Sequence, residues 1–179
     1  MGYNGGTWVA MMDIIEKGTE DIKKEIRGKI LTVEAKMLEM PGALKDDDCA
    51  PLKHTFADGM YIREITMPKG KLFISKIHKF THPFFVLKGE CSVLTEDGIV
   101  RIKAPYSGIT QPGTKRILYI HEDTVWTTVH STKETDLKKI EEEIIAKSYE
   151  EIGIEYDKCK EENLLLTFID KVIYEGGET

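Results

Sequence analysis

The amino-acid sequence predicts a mainly β protein: a single antiparallel β-barrel with an α-helix at each end. Three observations predict it. Between Met60 and His130, short runs rich in β-branched and aromatic residues alternate with turn-forming residues. Asp97-Gly98 falls between two of these runs, which is a strong hairpin signal. Outside this region the apolar residues recur at helical spacing instead.

The first 45 residues read as a helical extension. A Gly-rich tip leads into Trp8, Val9, Met11, Met12, Ile14 and Ile15, which suit a short amphipathic helix stopped at Gly18. Ile22, Ile26 and Ile30 repeat every fourth residue, so a second helix is expected from about Thr19. Gly28, Thr32 and Val33 weaken its far end, and Pro41-Gly42 closes the segment. Asp46-Asp47-Asp48 reads as a solvated loop.

The barrel is expected over residues 50–132. Its strands are predicted at Tyr61–Met67, Lys71–His78, Phe84–Leu87, Cys91–Thr95, Ile99–Ala104, Ile109–Thr110, Arg116–Ile120 and Thr124–His130. Turns fall at Pro68-Lys69-Gly70, Lys88-Gly89, Glu96-Asp97-Gly98, Pro112-Gly113 and His121-Glu122-Asp123. Many short strands at this spacing predict a sandwich or barrel. Residues 133–179 form the last region. Leu137, Ile140 and Ile144, continued by Ile145, Tyr149 and Ile152, predict a helix from about Asp136 to Glu151. The run Leu164–Ile173 fits either a strand or a helix.

Composition narrows the function classes. The chain has 179 residues, 41% hydrophobic and 31% charged, with a net charge of −6. That charge argues against a nucleic-acid polymer as partner. No apolar run is long enough to cross a bilayer, and no basic stretch followed by an apolar one marks the N-terminus. Cys49, Cys91 and Cys159 are odd in number and widely spaced, as expected of reduced thiols in a cytoplasmic protein. The charge is unevenly spread. Lys71, Lys76, Lys79, Lys88, Arg101, Lys103, Lys115 and Arg116 make the middle of the chain basic, whereas the following helical region is acidic. A basic pocket inside an acidic protein is one reading; a solvated helix face is the other.

Strand alternation decides which side chains share a face. Leu72, Ile74, Lys76 and His78 form one set, His82, Phe84 and Val86 a second, and Arg116, Leu118 and Ile120 a third. If these faces point inward, Lys76, His78, His82 and Arg116 converge at one end of an apolar barrel. Trp126 and His130 share a face as well, with Trp126 read as core or as a ring that stacks on a ligand. Lys76 fits the barrel rim as well as its interior, and Arg116 fits the surface as well as the pocket. Tyr119, Tyr106 and Arg101 are further candidates by residue type.

Gly70-x5-Lys76-x-His78-x3-His82-x6-Gly89 resembles the first motif of the cupin superfamily, Gly-x5-His-x-His-x3-Glu-x6-Gly. Gln111-Pro112-Gly113-Thr114-Lys115-Arg116 is similar to the end of its second motif, Pro-x-Gly-x2-His. The resemblance spans about Met60 to His130 and implies a jelly-roll barrel. It also implies that Lys76 and Arg116 stand where metal-ligating histidines would be, and His82 where a carboxylate would be. Arginine keeps its proton and does not ligate, and a lysine would first have to lose one. The standard metal site is therefore not expected, and His78 and His82 are the donors left for a divalent transition metal. Phe56–Ile65, Lys76–Lys79 and His121–His130 also look like uncharacterised cupin-like proteins of phages and prophages, which implies a bacterial host cytoplasm.

The expected function is non-catalytic binding of a small anionic ligand, phosphate- or nucleotide-like, at Lys76, His78, His82 and Arg116, with Trp126, His130, Tyr119 and Arg101 in support. By analogy with phage barrels of other families, that ligand is a host immune signal. Alternatives are a cupin enzyme, using a metal at His78 and His82 or working metal-free like a sugar-nucleotide isomerase, and an oligomeric assembly protein. A homodimer or larger assembly is expected, because the apolar segment Trp8–Ile15 has no evident partner in the barrel.

Overall fold

The structure is a computed structural model that describes residues 5–44 and 50–159, with side chains from residue 18 onward. The Asp46–Asp48 loop, Cys49 and the Leu164–Ile173 run lie outside the described residues.

The chain begins with one long helix, α1 (Gly5–Glu39), where two were expected. Gly18 does not stop it. A mid-helix glycine costs only about 1 kcal/mol, and the turns on either side continue the hydrogen-bond ladder. Ile30 and Val33 anchor α1 to the strands by packing against Leu94 and Ile117. Gly28 is needed for packing of another kind: a Cβ there would lie 1.7 Å from the Asp157 carbonyl oxygen of the returning chain.

The strands follow in antiparallel order: β1 (Leu52–Ala57), β2 (Met60–Met67), β3 (Leu72–Ile74), β4 (Ile77–His78), β5 (His82–Thr95), β6 (Gly98–Lys103), β7 (Tyr106–Thr110) and β8 (Ile117–Ser131). The fold is mainly β, as the sequence predicts, and is consistent with a jelly roll. One sheet runs β1-β2-β8-β5-β6, with β3 on β8 and β7 on β5.

β1 was not expected. It is an edge strand, mostly exposed, and lacks the apolar density that marks the others. β5 and β8 are each one long strand where two were expected. β5 bends between Val86 and Cys91, where its register against β8 shifts. Gly89 supplies a φ of +86° there, and a Cβ on it would meet the Asp123 carbonyl oxygen at 2.3 Å.

The expected strand Lys71–His78 is broken at Ser75-Lys76. β3 pairs with β8, whereas β4 pairs with the short strand β9 (Ile145–Ala146) in a separate two-stranded sheet. That pairing also corrects the C-terminal helix. α2 covers only Leu137–Ile144, capped by the Asp136 side chain, which accepts from the Lys138 and Lys139 amides. Ile145 and Ala146 leave the helix to hydrogen-bond with β4, and Tyr149 packs with Ile77 and Ala146 rather than continuing a helical stripe.

Met67, Phe84, Val86, Cys91, Val93, Ile102, Leu118, Ile120 and Trp126 form the main core cluster. Cys91 is fully buried in this core, and burial pushes its thiol up to about 12. Among the described residues, no helix is long and apolar enough to cross a membrane.

Candidate functional site

Sheet register builds the site. β8 lies between β2 and β5. Across β2 and β8, Tyr61 faces His130, Arg63 faces Thr128 and Ile65 faces Trp126. Across β8 and β5, Thr128 faces Phe84 and Trp126 faces Val86. Alternation then carries Tyr61, Arg63, His130, Thr128, Trp126, His82 and Phe84 to one side of the sheet. All of these but Phe84 line a cavity of about 1150 Å³. β4 brings His78 in from the second sheet.

His78, His82 and His130 meet in this cavity, one ligand atom of each lying within 4.8 Å of the others. Their rings pack closely: His78 and His82 centroids are 4.3 Å apart, His82 and His130 4.3 Å, and His78 and His130 5.2 Å in a stacked pair. Burial is the largest cause holding all three imidazoles neutral. His78 is lowered to about 2, helped by His82, His130, Arg116 and Arg63, and His130 to about 3, helped by His82 and Arg63. His82 is lowered too, its bond to Phe80 working the other way.

The tautomer of His82 follows from its contacts. Nδ1 lies 3.1 Å from the Phe80 carbonyl oxygen, which only accepts, so Nδ1 carries the proton. Nε2 is then a bare lone pair, buried and without a hydrogen-bond partner. Nδ1 of His78 is buried without a partner as well. Two such orphaned nitrogens in one cluster carry a desolvation cost and call for an explanation. Three neutral imidazoles, one oriented by a backbone carbonyl, are what a divalent transition metal requires of its ligands. The donor set fits such an ion.

Arg116 lies deep in the same cavity, only 8% exposed. One guanidinium nitrogen donates to Thr110 Oγ1 at 2.8 Å. The guanidinium also lies over the Phe84 and Trp126 rings, 5.2 and 5.8 Å from their centroids. Those rings stack on each other 4.5 Å apart. Burial lowers Arg116 to about 10, which leaves it cationic at neutral pH. Among the described residues, no carboxylate forms an ion pair with it. A buried cation without an ion-pair partner is costly, and the charge of Glu96 only partly offsets the burial.

The other expected site residues are divided. Lys76 turns to the rim and pairs with Glu141 of α2, because the strand breaks at that point. Lys115, next to Arg116, is buried but neutralised by Glu34 of α1 at 2.8 Å. Arg101 lies on β6, bonded to Glu90. Tyr119 packs in the cluster beneath α1, its ring against His121. Neither Arg101 nor Tyr119 lines the cavity. His130 is brought fully into the site, as a third member of the histidine cluster. Arg63, Tyr61 and His54 line the cavity without having been singled out. Alternation along Tyr61–Met67 was the available signal for Arg63. His54 lies on the strand that was missed, and its Nδ1 is 2.7 Å from the Tyr61 hydroxyl.

No protein-family model and no curated protein matches the chain. Similar solved structures include a cupin-2 domain protein from Shewanella frigidimarina, 10% identical over 45% of this chain and 79% of that one, with a TM-score of 0.39. KdgF from a Halomonas species is 12% identical over 52% of this chain and 90% of that one, at 0.44. A cupin-2 domain protein from Halorhodospira halophila is 11% identical over 56% and 80%, at 0.42. At these scores the likeness carries no weight on its own. The jelly-roll reading rests on the chain's own strand order, and the chemistry on its own side chains.

Proposed function

We propose that this barrel is a small-molecule site in which His78, His82 and His130 hold a divalent transition metal and Arg116 receives the negative end of the ligand. The carrying observation is the convergence of three neutral imidazoles, two of them with buried nitrogens that have no partner. A bound ion would supply a Lewis acid and a fixed positive charge. The donors are all neutral, so they would leave that charge uncompensated. Arg116 adds a second positive charge, so an anionic ligand is the natural complement of the whole site. Phe84 and Trp126 hold the guanidinium from one side and exclude water there.

This keeps the anionic ligand expected from sequence and adds a metal through His130. Metal analysis after dialysis tests it. The full chain is expected to retain stoichiometric zinc, cobalt or nickel, and His78→Ala/His82→Ala to lose it. Equal metal content in both would sink the reading. Metal-free capture of an anion by Arg116 would then be the reading left, because the unpaired guanidinium supports it independently.

A further inference from the structure

His82 and His130 line the cavity yet are only 3% and 4% exposed, so the histidine end is nearly closed. A ligand that reaches it needs a wall to move, and one wall is built unlike the rest. Ile140, Glu141 and Ile144 of α2 and Ile145 of β9 line the cavity there. Ile140 and Ile144 pack with Tyr61, whose ring also stacks with that of His130, 6.1 Å away. Those two isoleucines are the side chains that α2 buries. The helix has eight residues, too few to persist in water without docking. Before it, residues 132–136 hold neither helix nor strand. After it, Ala146 and Tyr149 are fixed in the core with Ile77. Among the described residues, β9 pairs with β4 and with no strand of the larger sheet.

From this we infer that α2 with Ile145 is a lid over the histidine end, clamped to the strand that carries His78, so that opening the lid also releases His78 from the cluster. The clamp is made by the neighbours of His78. Lys76 pairs with the Glu141 side chain. Lys79 donates twice, from Nζ to the Glu142 carbonyl oxygen at 2.9 Å and from its amide to that of Ile144 at 2.8 Å. His78 itself faces Ile145 across the strand pair. All of these contacts go together when α2 lifts about its two ends. His82 and His130 stay on the larger sheet, so the three-histidine cluster is complete only under a closed lid. The link to ion release rests on the proposed metal site, whereas the lid itself does not.

Hydrogen exchange of the metal-free full chain tests the lid. The amides of Lys79, Ile140 and Ile145 donate to the carbonyls of Ile144, Asp136 and Glu141. They are expected to exchange together, and about 100-fold faster than the slowest amides of β5 and β8. Asp136→Ala removes the cap of α2 at an exposed position away from the histidines. It is expected to raise those three rates about fivefold and leave β5 and β8 unchanged. Loaded with zinc, the same variant is expected to release the ion to a chelator about fivefold faster than the unaltered chain. Glu141→Gln should act in the same direction. Glu25→Gln is the control, since it breaks an ion pair with Lys29 on α1 and should leave release unchanged.

Exchange at Lys79, Ile140 and Ile145 as slow as in β5 and β8 would overturn the inference, whether or not zinc binds. So would fast exchange at Ile140 and Ile145 with slow exchange at Lys79, because α2 would then open without the strand that carries His78. Equal zinc release from Asp136→Ala and the unaltered chain would overturn it as well. If the chain retains no zinc, the metal reading fails alone and the exchange pattern still decides the lid. The same pattern on the unaltered chain decides if Asp136→Ala does not fold.

Discussion

Nδ1 of His82 donates to the carbonyl oxygen of Phe80, two residues earlier, and this local bond leaves Nε2 a bare lone pair on a ring that packs against those of His78 and His130. The backbone thus fixes the tautomer before any ligand arrives, as an outer partner does for a metal-binding histidine.

His82→Ala is expected to lower cobalt affinity by about 100-fold or more. Losing a direct ligand costs at least as much as losing an outer-shell partner, which costs 10–100-fold. Titration with Co(II), followed by its visible absorption, measures this. His121→Ala is the control, since His121 hydrogen-bonds with Ser92 outside the cavity and should leave the spectrum unchanged.

Stability of the metal-free protein is expected to fall as pH drops below about 6.5. The sign follows from the lowered values of His78 and His130, about 2 and about 3. Between those values and 6.5, the unfolded chain binds protons that the folded chain refuses, so each pH unit removes about 1.4 kcal/mol per histidine. Between pH 5 and 4 the two together cost about 2.7 kcal/mol. Urea midpoints across this range check it, and His130→Asn should make the slope shallower.

Arg27→Leu is expected to destabilise the protein by about 3 kcal/mol. The Arg27 guanidinium is buried between α1 and the β5–β6 turn, bonded to Glu96, Glu20 and the Glu155 carbonyl oxygen. Its removal strands the largely buried Glu96 carboxylate, which is the costly way to break such a pair. Denaturant unfolding gives the number. Arg27→Leu/Glu96→Leu should recover part of the loss.

Gly28→Ala would stabilise a free helix by about 1 kcal/mol but is expected to destabilise this protein. The added Cβ would displace Asp157, whose amide donates to the Lys24 carbonyl oxygen. Hydrogen exchange at the Asp157 and Ile154 amides should quicken at least tenfold, while exchange in the barrel strands stays slow.

What was legible in the sequence was local. Gly70, Gly98 and Gly113 sit at turns with positive φ, where the turn residues were read. The inward set His82, Phe84 and Val86 follows from a period of two. Lys76 misled for the same reason: alternation put it beside His78, but β3 and β4 belong to different sheets and the chain turns between them. The stripe Leu137–Ile152 misled likewise, because a helical spacing does not show that Ile145 and Ala146 will pair with a strand nearly seventy residues earlier.

By itself the sequence determined that the fold is mainly β, where most of its β residues and several of its turns lie, and that His78, His82, Trp126 and His130 are candidates for an inner face. Side-chain period and turn chemistry act within a few residues, so they can be read from a short window. The tertiary structure alone decided that His130 completes a cluster with His78 and His82, that Arg116 is buried beside Phe84 and Trp126 while Lys76 is neutralised at the rim, and that α1 lies along the cavity mouth. Each of these depends on which distant strands pair and in what register. Burial and long-range hydrogen bonding of the whole chain set that pairing.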